Sequence, residues 1–108
     1  MAKTKTSKIR KSARGEECQI RIPGVCNFDN ATTVLAHING GGMGYKRSDN
    51  ESAYTCSSCH DVVDGRVVSE YPYLQIIVWF YEGVMRTQKI LIEKGLMTVE
   101  GLNLKRSA

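Results

Sequence analysis

The stretch Cys56-Ser57-Ser58-Cys59-His60-Asp61-Val62-Val63-Asp64-Gly65 places two thiols, an imidazole and two carboxylates within ten residues. Ser57 and Ser58 are good cap residues and Asp61 suits a first turn, so the spacing predicts a short helix that Gly65 ends. On that helix His60 and Asp64 stand at i and i+4 and share a face. Taken alone, Cys56 and Cys59 read either as half of a metal site or as a redox pair of the thioredoxin kind. The choice turns on a second pair about thirty residues upstream, Cys18 and Cys26. A tetrahedral ion needs four soft, deprotonated ligands, and a folded chain can bring them together in twos. Cys18, Cys26, Cys56 and Cys59 are therefore expected to hold one structural zinc ion. The redox reading leaves the first pair unexplained.

Working outward, Cys18 to Cys26 alternates Ile20 and Ile22 with Gln19 and Arg21 and then turns at Pro23-Gly24, which reads as a short hairpin or knuckle. Seven residues lie between these two thiols, more than the two to four usual in a zinc knuckle. Thr33 to Ile38 is a β-type run ending at Asn39 and a glycine cluster, so His37 falls near a strand end. Gly40-Gly41-Gly42-Met43-Gly44 lacks P-loop spacing. With Lys46 and Arg47 after it, this segment is either a loop bearing two cations beside a nucleic-acid groove or an ordinary surface turn.

Pro72 to Lys94 is the longest predicted helix, with Gly95 as its terminator. Leu74, Ile77, Val78, Tyr81, Val84 and Met85 recur at three- and four-residue steps, and Ile76, Trp79 and Phe80 widen the apolar surface. Trp79 or Phe80 would then serve a homodimer contact through the 72–94 helix. The alternative is that the domain wraps this helix on two sides.

The whole chain has 108 residues, the size of one domain, and is 42% hydrophobic and 24% charged. Its net charge is +4, yet Lys3, Lys5, Lys8, Arg10, Lys11 and Arg14 fall in the first 15 residues with no acid among them; without these six the balance is −2. Residues 1–15 are expected as a basic flexible tail and 16–108 as a single domain. Such a tail suits a phosphate backbone, or is a solvated leader. The apolar run Ile76 to Tyr81 is far shorter than the roughly 20 residues of a membrane span. No apolar segment follows the leading cations, and four cysteines without a secretory signal point to a reducing, cytoplasmic setting.

A strand ending in His37, a loop with Asn50, and His60 directly after Cys-x-x-Cys together resemble the HNH, or ββα-metal, endonucleases. Residues 18 to 64 carry that pattern. With Ala36-His37-Ile38-Asn39, the glycine loop and Cys59 to Arg66 added, the chain is similar to the small lambdoid-prophage nucleases of the YbcO-like family. The resemblance implies an α+β fold, a small zinc-stabilised ββα-metal core followed by a long C-terminal helix. It also implies a metal-dependent endonuclease acting on DNA, with RNA left open. His37 would be the general base and Asn50 the residue that steadies it. His60, with Asp64, would hold a catalytic Mg²⁺ or Mn²⁺.

An imidazole fits the task of base because it titrates near neutral pH, and a divalent ion fits the charge that develops on phosphorus oxygens. Lys46, Arg47, Arg66, Lys8, Arg10 and Lys11 would contact nucleic acid through its phosphates. Ala36 departs from the family pattern, in which many members place Asp or His before the base as a further ligand, so Ala36→Asp is expected to ease metal binding. That departure also keeps open an alternative: a catalytically inactive, zinc-stabilised nucleic-acid-binding module.

Overall fold

A computed structural model describes residues 7–38 and 48–102 of the chain, so the glycine loop and the cations Lys46 and Arg47 lie outside the described residues. The elements run α1 (Lys8–Ser12), a 3₁₀ turn (Asn30–Thr32), β1 (Val34–His37), β2 (Ser52–Thr55), α2 (Ser57–Val63) and α3 (Tyr73–Glu93). The fold is α+β, a two-stranded sheet followed by a short helix and a long one.

β1 and β2 pair antiparallel with Val34 opposite Thr55 and His37 opposite Ser52. The ladder continues one step past β1, where the Ile38 amide donates to the Glu51 carbonyl at 3.1 Å. The second edge of β2 is closed from two sides. The Gln19 amide donates to the Tyr54 carbonyl at 2.8 Å, and the Tyr54 amide donates to Thr87 Oγ1 at 3.0 Å. Both backbone polar groups of a buried residue are thereby satisfied, and no bare edge remains at Tyr54.

α3 covers this sheet with Ile76, Phe80, Gly83, Val84, Thr87 and Leu91. Gly83 allows the close approach, since a Cβ there would lie 2.9 Å from Ile20 Cγ1 and 3.1 Å from the Gln19 carbonyl oxygen. The buried face is thus rotated from the expected stripe, and Leu74, Val78, Tyr81 and Met85 are exposed. Phe80, expected as a dimer contact, is 2% exposed and belongs to the core. Trp79 packs edge-on against Tyr71 with ring centres 4.8 Å apart. Phe80 is therefore not free for a second copy, and Trp79 is half-buried. Among the described residues, no helix is long and apolar enough to cross a membrane.

The expected flexible tail is also corrected over its second half. Ser7 caps α1 by accepting from the Arg10 amide at 3.0 Å. The Ser12 hydroxyl meets the Tyr54 hydroxyl at 2.6 Å, and Ala13 is buried with Leu35, Tyr54 and Leu91. Lys94 at the end of α3 forms an ion pair with Glu16. These contacts tie α1 onto the sheet, so Lys8, Arg10 and Lys11 stand on a fixed element.

Candidate functional site

The four cysteines meet where the Cys18–Cys26 loop, the start of α2 and α3 converge. Their sulfurs all lie within 4.8 Å of one another, every one is buried, and none is in a disulfide. Cys26 and Cys56 sulfurs are 3.8 Å apart. A tetrahedral ion with metal–sulfur bonds of about 2.3 Å requires sulfur–sulfur edges of about 3.8 Å, so the set fits a thiophilic metal.

Each half of the cluster turns its backbone toward a sulfur. The Arg21 amide points at Cys18 Sγ and the Cys59 amide at Cys56 Sγ, both at 3.4 Å. The first half is a knuckle rather than a hairpin, with Arg21 at φ 54° and the Cys26 amide returning to the Ile22 carbonyl at 2.9 Å. Cys56, not a serine, is the N-cap of α2.

The electrostatics also favour a cation. A hydrogen bond from Cys59 holds the Cys18 thiol down at about 4, whereas burial pushes Cys26 up to about 11 and the shared proton drives Cys59 upward. Buried thiols in low dielectric resist ionising together, and a dication would take the place of their protons. A redox pair needs an approachable sulfur, and Cys56 and Cys59 are 0% exposed.

On the far side of the sheet lies a cleft of about 670 Å³. His37 from the end of β1 and His60 from α2 both line it, as do Arg10, Lys11 and Arg14 of the N-terminal segment and Arg66 beyond α2. Among the described residues Asp61 is its one acidic wall residue, against four cations, so the cleft is strongly cationic. Thr33, another wall residue, carries a buried hydroxyl with no partner among the described residues. Lys8 lies on α1 but outside this wall.

His60 Nε2 and Asp64 Oδ2 are 3.3 Å apart, as the i, i+4 spacing leads one to expect. Gly65, at φ 80°, then ends α2, and Arg66 reaches back to Asp61 and Asp64 at 3.7 Å each.

Two sequence expectations change here. Ala36 is 1% exposed, sits opposite Ala53 and belongs to the core, so it is not a position in the cleft wall. Asn50 does not supply the group at His37. Its carboxamide oxygen accepts from Ser48 at 2.6 Å and its carbonyl from Gln88 at 2.7 Å, which fixes the turn leading into β2. The residue that meets the imidazole is Asp49, with Oδ1 2.7 Å from His37 Nε2. Hydrogen bonds from Ser7 and His37 hold the Asp49 carboxyl below the usual carboxylate range. The register of β1 against β2 sets this contact, because His37 faces Ser52 and the turn just before Ser52 overhangs the ring.

Comparison with known proteins places this arrangement in context. Residues 7–96 match the family model described as "Putative nuclease YbcO". Over 93 residues the chain is 43% identical to "Putative nuclease YbcO" of Escherichia coli K-12, covering 82% of this chain and 95% of that protein. The same identity and coverage hold for the protein of that name from Enterobacteria phage 82. A solved structure described as a putative bacteriophage protein from Escherichia coli K-12 superposes with a TM-score of 0.71 at 42% identity, covering 82% of this chain and all of that one.

Proposed function

The chain belongs to the family described as "Putative nuclease YbcO", and from that premise we propose that it is a metal-dependent endonuclease of the HNH type that hydrolyses phosphodiester bonds of DNA. The observation that carries this reading is the cleft in which His37 and His60 share walls with Arg10, Lys11, Arg14 and Arg66. The chain order of strand, strand and helix, with one histidine closing β1 and the other on α2, supports the ββα-metal assignment.

The four cysteines would hold a structural zinc, a closed site that leaves no position for substrate. His60 and Asp64 would hold Mg²⁺ or Mn²⁺, which when bound stabilises charge on the phosphorane and the leaving oxygen. His37 accepts a proton from the attacking water. The arginines and Lys11 grip the phosphates on either side of the scissile bond. That grip reads charge and spacing rather than bases, so affinity falls steeply with salt.

Nicking of supercoiled plasmid by purified protein tests the reading. Cleavage with Mg²⁺ or Mn²⁺ and none with EDTA is the expected result. A protein that binds the plasmid but cleaves it under no divalent ion is instead a non-catalytic, zinc-stabilised binding module.

A further inference from the structure

We propose that Asp49 is a positioning residue for His37, and that α1 is the brace that holds Asp49 against the ring. The catalytic consequence rests on the nuclease reading above; the contact itself does not.

An ionised carboxylate only accepts hydrogen bonds, and Asp49 Oδ1 lies 2.7 Å from His37 Nε2. Nε2 must therefore carry the proton. In the neutral ring this leaves Nδ1 as the bare nitrogen, the one able to take a proton from water. Once that proton has moved, the ring is an imidazolium and the adjacent carboxylate stabilises it.

The carboxylate is itself held. The Ser7 hydroxyl donates to Oδ2, and the Arg10 guanidinium lies 3.8 Å from Oδ1. Its backbone is pinned by the hydroxyl of Ser52, the residue paired with His37 across the sheet. Ser7 has two tasks at once, because its oxygen also caps α1 by accepting from the Arg10 amide. α1 is anchored at its other end by the Ser12–Tyr54 contact and buried Ala13. A chain of contacts thus runs from the core through α1 to the base.

The test combines imidazole nitrogen NMR with cleavage kinetics on full-length protein: parent, Asp49→Asn, Asp49→Glu and Ser7→Ala. The parent should show His37 protonated at Nε2 with Nδ1 bare, and Asp49→Asn should lose that single tautomer. Its turnover should fall by roughly 10² to 10⁴ with KM for DNA little changed, because ring orientation rather than binding is lost. Asp49→Glu should recover part of the rate, and Ser7→Ala, a milder change, should show the same shifts in smaller measure.

Parental His37 protonated at Nδ1 overturns the proposal. So does an Asp49→Asn variant with unchanged turnover and tautomer, or one whose only defect is a higher Mg²⁺ requirement, which would make Asp49 a metal ligand. A parent that cleaves nothing defeats the nuclease reading instead, and the tautomer measurement still decides the contact.

Discussion

Ala36 and His37 are neighbours in the chain and face opposite sides of β1, and this alternation governs what can be changed at either position. Ala36→Asp would not place a carboxylate beside the cleft but bury it among Ala53 and the cysteine-lined core. We predict a loss of stability of about 2 kcal/mol or more, read by urea denaturation, and no gain in metal affinity. Asp49 has a different signature. Its folded carboxyl titrates below its ordinary range, so its contribution to stability is whole above about pH 4 and is lost as pH falls through the lowered value. The gap in melting temperature between parent and Asp49→Asn should therefore be open at neutrality and close as the pH falls through that lowered range. At this scale the cysteine cluster was legible because thiol ligation restricts the choice of residue type, and the two histidines drew notice as residues that the fold brings to one cleft. Asp49 was not, because only the pairing of His37 with Ser52 distinguishes it from Asn50 next door.

Among the elements, α3 was legible from Pro72, Gly95 and its apolar spacing, but its buried face was not. Leu74, Val78, Tyr81 and Met85 recur as regularly as Ile76, Phe80, Val84 and Leu91, so periodicity alone cannot choose between two stripes. Gly83 and Thr87 make the choice, one by admitting the Gln19–Ile20 backbone and the other by bonding Tyr54. β2 was invisible for a related reason: all four of its residues are buried, which erases the alternation that marks a strand. α1 was read as tail because its cations outnumber its apolar residues, while Ile9 and Ala13 make its contacts with the core. Two truncations separate these roles. Removing residues 2–6 takes away Lys3 and Lys5, and should flatten the salt dependence of DNA binding by about one to two phosphate equivalents. Removing residues 2–14 also removes Ala13 and the Ser12–Tyr54 bond, and should lower the denaturation midpoint by several degrees.

At the level of the whole molecule, one sheet separates two chemistries: a buried thiol cluster and a cationic histidine cleft. The cluster was legible from spacing. The cleft was not, because Arg10, Arg14 and His60 converge only once α1 and α2 are docked. If the cluster closes on zinc, metal binding is part of folding. Reduced protein should contain one equivalent of zinc by elemental analysis, and a strong chelator should unfold it, as should Cys56→Ala. Less than about half an equivalent, with the fold retained, would count against the assignment. The most direct measurement of the central claim is the rate of plasmid cleavage as a function of Mn²⁺ concentration for parent, His37→Ala and His60→Ala. The account predicts that His37→Ala is slower by about 10² or more at every concentration while binding DNA as well as parent, and that His60→Ala approaches the parental rate only at much higher Mn²⁺. A His37→Ala variant that cleaves as fast as parent would contradict it.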